Sequence, residues 1–456
     1  MTEGHRQVQE GDGREVERFA GVADPPRAVA VIGGAGYVGG VTGVGLAHMG
    51  HRVTAVDINE ERVRRMSRGE APFHEPGLEA LLRQALAGGR LRVTTDLPGA
   101  LADAEAVFVA VNTPRRDNGE ADLSHIIQVA QGLGRHLHRH AVIAVKSTAP
   151  VGSHLTIRRV LEQFGRHEGA DYDLVANPEF LREGHAVHDF FYPDRVVIGG
   201  TSPQAVALIR ELFAPLGAPI LETSIEDAQM IKYAANAFLA MRVSFINEIA
   251  NVCERVGANV ETVARGLGYD RRIGHAYLQP GLGFSGPCLP KDLEGLIRLA
   301  EDAGYEPFFL RAILEKNQHQ RRQVLRKVAD VLGASLVGRR IGALGLAFKP
   351  GTDDVRNSAA PEIIDYLERR GAQVRVYDPM VNRAPGIPGE VVSDPYAAAA
   401  QADLLLILTA WPQFAALDLE RLRQTMRAPN IVDATNLLDP AAVRAAGFTY
   451  VSVGRP

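Results

Sequence analysis

A chain of 456 residues is too long for one ordinary hydrophobic core and implies several domains. Its 46% apolar and 23% charged residues are those of a water-soluble globular protein, and a net charge of −4 argues against wrapping nucleic acid or lying on an anionic membrane. No apolar run approaches the roughly 20 residues that span a bilayer. Two cysteines, Cys253 and Cys288, exclude a disulfide scaffold and fit a reducing cytoplasm, while the 14 histidines show no metal-ligand spacing, so no metal site is expected.

Residues 1–26 open as MTEGHRQVQEGDGREVER, without the apolar core of a secretory leader, and read as a polar, disordered tail. From Ala28 short β-branched runs alternate with amphipathic segments. AVAVIG, VTAVD, RVTTD, AVFVAV and AVIAVKST read as buried parallel strands, with EERVRRMSRG and LSHIIQVAQGLGRHL as helices between them. Such alternation implies a doubly wound sheet with right-handed crossovers. DLVANP and VVIGG carry it to about residue 220, giving a first domain at 27–220. The texture changes over 221–333. There EDAQMIKYAANAFLAMRVSFINEIANVCERVG has apolar residues at helical spacing and no internal Pro or Gly, so it reads as one long helix or two abutting ones. DLEGLIRLAEDAG and FFLRAILEKNQHQRRQVLRKVADVLG continue this helical middle domain. Over 334–456 the α/β rhythm returns in RRIGALGLAF, AQVRVYDP, ADLLLILTAW and NIVDAT, with APEIIDYLERRG as a crossover helix. The expected fold is α/β: two Rossmann-like, doubly wound parallel-sheet domains joined by a helical middle domain with a long helix.

The first strand runs into Gly34-Ala35-Gly36-Tyr37-Val38-Gly39, a G-x-G-x-x-G between strand and helix. That spacing serves a tight turn, close approach of backbone to a pyrophosphate, and a helix N-terminus aimed at it. Alone the motif is weak, since a glycine turn in a non-binding sheet carries the same letters. Asp57, about 20 residues on at the end of the next strand, strengthens it: a carboxylate there accepts from a ribose 2′-hydroxyl and repels a 2′-phosphate, which selects NAD over NADP. The string GGAGYVG also occurs in short-chain-type sugar epimerases, but these need a Tyr-x-x-x-Lys pair for proton transfer, and no tyrosine here has Lys four residues later.

Three further motifs recur together. Asn177-Pro178-Glu179-Phe180-Leu181-Arg182-Glu183-Gly184 follows a strand; Lys232 and Asn236 lie one helical turn apart and face the same way; Gly281-Leu282-Gly283-Phe284-Ser285-Gly286-Pro287-Cys288-Leu289-Pro290-Lys291-Asp292 is a glycine loop ending at a cysteine and opening a helix. With them stand Glu75-Pro76-Gly77-Leu78, Thr113-Pro114, Ala121-Asp122-Leu123-Ser124, Lys146-Ser147-Thr148, Arg272-Ile273-Gly274, Gly345-Leu346-Ala347-Phe348-Lys349-Pro350 and Thr352-Asp353-Asp354-Val355-Arg356. In this order they make the chain resemble the UDP-glucose/GDP-mannose dehydrogenase family from Gly34 nearly to the C-terminus.

The resemblance implies oxidation of a nucleotide-sugar C6 alcohol to a carboxylate, which takes two hydrides and one water. A thiolate makes the intermediate aldehyde tetrahedral as a thiohemiacetal and then carries the acyl group as a thioester. The resemblance gives that role to Cys288, which precedes a helix N-terminus near Lys291, both favouring a thiolate; Cys253, amid apolar residues of a helix, reads as core. It makes Lys232 and Asn236 donors to the developing oxyanion, and gives Glu179, Asp292 and Thr148 the hydrolytic water. NAD would be held by Gly34, Gly36, Tyr37, Val38, Gly39, Asp57, Thr113, Thr148, Glu183 and Lys291. Substrate contacts would come from Phe180, Leu181, Glu183, Lys232, Asn236, Arg272, Tyr277, Leu278, Gly281, Phe284, Gly286, Phe348, Lys349 and Arg356. Arg272 would reach across the interface of a homodimer built on the long helix.

The sequence also departs from the family pattern. Gly33 and Gly34 both precede Ala35, one residue more than usual; Asp433-Ala434-Thr435-Asn436 stands where Asp-Gly-Arg-Asn is common; Ser285 and Pro287 replace Gly and Ser. These positions bear on the nucleotide and the sugar. UDP-glucose to UDP-glucuronate is the expected reaction, against the same chemistry on dTDP-glucose, GDP-mannose or a UDP-N-acetylhexosamine. A two-electron hydroxyacid dehydrogenase would not need Cys288. A non-catalytic nucleotide-sugar sensor would have lost Cys288, Lys232 or a water-activating acid, and all are present.

Overall fold

The computed structural model describes residues 16–116, 119–382 and 386–456. Residues 1–15 of the expected tail lie outside the described residues. In the rest of that segment Glu17–Phe19 form a short 3-10 turn, and buried Phe19 stacks on Phe191 at 5.3 Å. An aromatic anchor within a polar stretch escaped the compositional reading.

The chain divides into two compact units, one ending at Ala234 and the other running from Ala235 to Pro456. In the first, β1 (Ala28–Ile32), β2 (Arg52–Val56), β3 (Leu91–Thr94), β4 (Ala106–Val109), β5 (Ala141–Val145), β6 (Tyr172–Ala176), β7 (Val196–Gly200) and β8 (Ile220–Thr223) form one sheet in the order β3-β2-β1-β4-β5-β6-β7-β8. These strands lack Pro and are rich in Val, Ile and Ala, as befits strands buried on both faces. Alternation divides them between two core layers: Val29 and Val31 of β1 enter one, Ala30 and Ile32 the other. Strands β1 to β6 pair in parallel, whereas β7 runs antiparallel to β6 and β8 follows β7. The helix between β6 and β7, Ala186–Phe191, has six residues. At roughly 9 Å it is shorter than the roughly 16 Å of a five-residue strand, so the chain re-enters the sheet from the same end.

In the second unit, β9 (Arg340–Leu344), β10 (Gln373–Tyr377), β11 (Glu390–Val391), β12 (Leu404–Ile407), β13 (Asn430–Asp433) and β14 (Thr449–Ser452) form an all-parallel sheet in the order β11-β10-β9-β12-β13-β14. That is the order of the first six strands of the first sheet. Each sheet therefore has a switch point, β1/β4 and β9/β12, where ligands of such folds bind beyond the carboxyl ends of the strands.

The long apolar segment is one helix, Ile225–Val256, of 32 residues. The helices after it pack in two ways, and Ala237, Ala240, Phe284, Leu293, Ile297 and Ile313 form a small cluster of their own. Ile246, Ala250, Cys253, Val324 and Val328 share one buried cluster with Ile341, Ala343 and Val374 of the second sheet, so much of the expected middle domain is fused to the sheet that follows it. Among the described residues no helix is long and apolar enough to cross a membrane.

Candidate active site

The glycine turn after β1 is built around main-chain contacts. Gly33 has φ +79°, and a Cβ there would lie 2.5 Å from the carbonyl oxygen of Ala110. Only glycine fits between the ends of β1 and β4. The additional glycine is absorbed at the strand end, where the N–H groups of Gly33 and Gly34 both donate to Val56 O at 2.9 Å. Gly36 caps the helix Tyr37–His48, whose first amides have no partner within the helix. Asp57 ends β2, half-buried, with one oxygen accepting from Ala35 N at 3.2 Å and the other from Asn59 N at 2.9 Å. A cradle that a Cβ would fill, a helix N-terminus and a strand-end carboxylate suit a dinucleotide.

The Tyr37 side chain is engaged within the protein. Its hydroxyl is hydrogen-bonded to the buried Glu75 carboxylate and accepts from Gly184 N at 2.9 Å. Burial beside Glu75 raises the phenol well above its ordinary range. Glu75 was named in a motif without a role; its carboxylate also accepts from Gly184 N at 2.8 Å and Val187 N at 3.3 Å, tying the glycine turn to the loop that carries Glu179 and Glu183.

Beyond β5 and β6 polar groups gather in an apolar surround. Thr113 Oγ1 donates to Thr148 O at 2.6 Å, joining the loops after β4 and β5. Glu179 forms an ion pair with Lys232 at 3.0 Å, both side chains buried, and also accepts from Leu181 N at 2.6 Å. The Phe180 ring lies under Arg195 at 3.5 Å and near Lys232 at 5.3 Å. A cavity of about 10 Å³, room for one water, is lined by Thr148, Pro178, Gln229 and Lys232 among others. Lys146 and Asn177 stand behind this group, as described below; the sequence signal for Lys146 was a charge ending an otherwise apolar strand.

In the second unit Cys288 is the N-cap residue of the helix Leu289–Asp302 and is exposed, whereas Cys253 is buried in the core, as expected. Asp292, in the first turn of that helix, is 1% exposed. Its carboxylate accepts from Asn236 Nδ2 at 2.5 Å and from Lys291 Nζ at 2.7 Å. Lys232 and Asn236 sit four residues apart on the one long helix.

The glycine loop before Cys288 is held by amides the sequence reading missed. Asn317 accepts from Phe284 N at 2.7 Å and donates to Phe284 O at 2.9 Å; Asn247 accepts from Gly281 N at 2.8 Å; Gln320 donates to Gly281 O at 3.0 Å. Their signal was Asn and Gln at core-facing spacing after Ile313. Phe284, expected to touch substrate, is buried with Ala237, Ala240, Leu293 and Ile297 and anchors the loop; Leu278 lies in the core. Gly286 has φ +86°, and a Cβ there would meet the Phe348 ring at 2.6 Å, so the loop lies directly on the turn after β9. Lys349 lies 5.7 Å from that ring. Arg356 is exposed and pairs with Asp354; Arg272 is exposed and pairs with Asp270 at 2.6 Å. The carbonyls of Ile273, Gly274 and Ala276, leading to Tyr277, are gathered by the guanidinium of Arg242. Thr435 donates to Asp433 from both its amide and its hydroxyl, at 2.9 and 2.8 Å.

Comparison with known proteins agrees along the chain. Residues 27–217 match the model of the UDP-glucose/GDP-mannose dehydrogenase family NAD binding domain, 226–319 its central domain and 342–440 its UDP binding domain. UDP-glucose 6-dehydrogenase TuaD of Bacillus subtilis is 44% identical over 434 residues, 94% of each chain, and UDP-glucose 6-dehydrogenase of Rhizobium meliloti is 44% identical over 432 residues, covering 93% of this chain and 98% of its own. A solved UDP-glucose dehydrogenase from the hyperthermophilic archaeon Pyrobaculum islandicum superposes with a TM-score of 0.88 at 38% identity, covering 94% of this chain and 98% of its own. The chain belongs to the UDP-glucose/GDP-mannose dehydrogenase family and is an NAD-dependent nucleotide-sugar dehydrogenase.

Proposed function

We propose that this enzyme oxidises the C6 hydroxymethyl group of UDP-glucose to the carboxylate of UDP-glucuronate, as a cytoplasmic homodimer. The observation that carries the reading is an exposed cysteine at a helix N-cap, one turn before a buried carboxylate held by an amide and an ammonium, within a chain of this family. The balance is one alcohol, two NAD⁺ and one water giving one carboxylate, two NADH and three protons.

NAD, when bound, supplies the hydride acceptor; the turn from Gly34 to Gly39, with Asp57, Thr113, Thr148 and Glu183, holds it. Lys232 and Asn236 donate to the oxygen on C6 as negative charge develops there, the kind of contact worth roughly 3–4 kcal/mol. The Cys288 thiolate adds to the C6 aldehyde: the C–S bond forms and the carbonyl π pair moves to oxygen. Loss of hydride from that carbon leaves a thioester. Water, oriented by Thr148 with Glu179 and Asp292 as proton acceptors, cleaves the C–S bond and returns the thiolate. The main chain around Tyr277 and the loop from Gly281 to Gly286 cover the nucleotide, and Lys349 with Arg356 meets its diphosphate.

Homodimer formation is supported by Phe238, Phe245, Val252 and Val256, all 46% exposed or more and seven, seven and four residues apart along the long helix. Arg272 would then enter the neighbouring site. Light scattering that finds an active monomer at assay concentration would rule this out. The reaction itself is tested by mass spectrometry of the product with NADH counted per sugar. The expected outcome is acid with two NADH, and loss of acid formation in Cys288→Ala with substrate and NAD binding kept. One NADH with an aldehyde product, or full acid production by the variant, overturns it.

A further inference from the structure

The reaction as proposed uses Glu179 and Lys232 but leaves a third buried charge without a role. Lys146 ends β5, 5% exposed, with its ammonium donating to Asn177 Oδ1 at 2.9 Å. Asn177 is fixed in turn by donating to Val197 O at 2.9 Å. The rings of Phe213 and Phe108 lie 5.2 and 5.9 Å from the ammonium. An amide oxygen and two aromatic faces are poor compensation for lost hydration. The charges that act on Lys146 here are the Glu179 carboxylate, which favours its ammonium, and Lys232, which opposes it; burial holds its pKa down at about 8.

A lone Lys232–Glu179 pair would be a neutral dipole with little field to offer an oxyanion. With Lys146 the group holds two ammoniums against one carboxylate, a surplus of one positive charge. Arg195, stacked on Phe180, faces Asp194 as well as Glu179, so Asp194 balances its charge and it adds no uncompensated positive charge. Resting on the alcohol-oxidation reading, we propose that Lys146 is a positioning residue for the reaction: an internal ammonium that shares the charge of Glu179, so that Lys232 keeps its positive charge for the oxygen on C6. Repulsion between the two ammoniums also makes Lys232 a readier proton donor than it would be beside Glu179 alone.

The test compares the parent enzyme, Lys146→Met and Lys146→Arg by kcat, KM for UDP-glucose, the pH profile of kcat, and Tm. Lys146→Met is expected to lower kcat by ~10- to 100-fold, less than deletion of a direct oxyanion donor, with KM within ~3-fold. Its alkaline limb should move to higher pH, because removing a repelling cation strengthens the hold of Lys232 on its proton. Its Tm should stay level or rise, since a poorly compensated buried charge is gone. Lys146→Arg should keep most of kcat. A purely structural lysine predicts the reverse, a fall in Tm with the limb unmoved, and that result overturns the proposal, as does parent-like kcat in Lys146→Met. Should Lys146→Met fail to fold, Asn177→Asp sets a carboxylate against the ammonium and neutralises it in place. The same loss of kcat and the same displaced limb are then expected, and parent-like values overturn the proposal. The parent's NADH count separates the two claims: one NADH per sugar refutes the oxidation reading, whereas two NADH with an unimpaired Lys146→Met refutes only the role of Lys146.

Discussion

Replacing Glu179 by Gln probes the buried charge group through stability. The substitution keeps the shape and an acceptor for Leu181 N, but removes the carboxylate paired with Lys232. Both ammoniums, Lys232 4% and Lys146 5% exposed, then lose the carboxylate that acts on them. Breaking a buried pair by removing one partner costs about 3–5 kcal/mol. For a unit of this size, which ends at Ala234, that lowers Tm by roughly 6–20 °C. The deficit depends on pH. In the parent Lys146 has fallen from its ordinary 10.5 to about 8, so below pH 8 folded and unfolded chains both hold its proton and the full penalty applies. From about 8 to 10.5 only the unfolded chain holds it, and stability rises with pH. Glu179→Gln removes a carboxylate that favours the Lys146 ammonium and so pushes its folded-state value lower still; stability then rises more steeply and the gap to the parent narrows between about pH 7 and pH 9.5. Thermal unfolding of both proteins at these two pH values is the assay. A deficit under about 1 kcal/mol at pH 7, or an equal one at both, would refute the claim that the two lysines depend on one carboxylate.

Two further outcomes test the cofactor turn and the second cysteine. Asp57→Ala removes the acceptor of Ala35 N and a charged acceptor for ribose, so kcat/KM with NAD should fall ~10- to 100-fold and with NADP much less; steady-state kinetics with both cofactors decide, and a parent that already prefers NADP would show that Asp57 does not select. Cys253→Ala removes one buried thiol from the cluster around Ile246 and Val260 and should lower stability by about 1 kcal/mol with the NADH yield unchanged, as chemical denaturation and the product assay will show.

Eleven of the described strands were legible because each is a short run rich in Val, Ile, Leu and Ala bounded by polar turns, whereas β8, β11 and β14, short or partly exposed, were not named. The antiparallel direction of β7 was not legible, because direction depends on the length of the connecting helix rather than on the strand's own residues. The chemistry-bearing residues stood out as motifs, but their partners did not. Asn317, Gln320 and Asn247 hold the loop before Cys288 from helices remote in sequence, 33 to 39 residues away. A buried Asn on an amphipathic helix announces that it has a partner, not which one. Nor does a glycine loop's sequence reveal that Phe284 also completes a small core.

The two sheets show how far a shared topology determines use. Each has the same strand order around its switch point, and each ends its second strand in an aspartate, Asp57 after β2 and Asp378 after β10. Asp57 is half-buried and carries one amide donor on each oxygen, leaving lone pairs for a ribose hydroxyl. Asp378 is 1% exposed; one oxygen accepts from Leu346 N, Ala347 N and Trp411 Nε1 at 2.8, 3.0 and 3.1 Å, the other from Met380 N and Val381 N at 2.9 and 3.1 Å. A carboxylate so occupied has nothing left for a ligand and serves to brace the turn after β9. That turn, Gly345-Leu346-Ala347-Phe348, also lacks the spacing that brings backbone against a pyrophosphate. The second sheet therefore repeats the frame of a dinucleotide site without its chemistry, and the turn it braces instead presents Phe348 and Lys349 beside the loop that leads to Cys288. Strand order places an acid at the crevice; the donors already on that acid decide whether it binds a ligand or holds the fold.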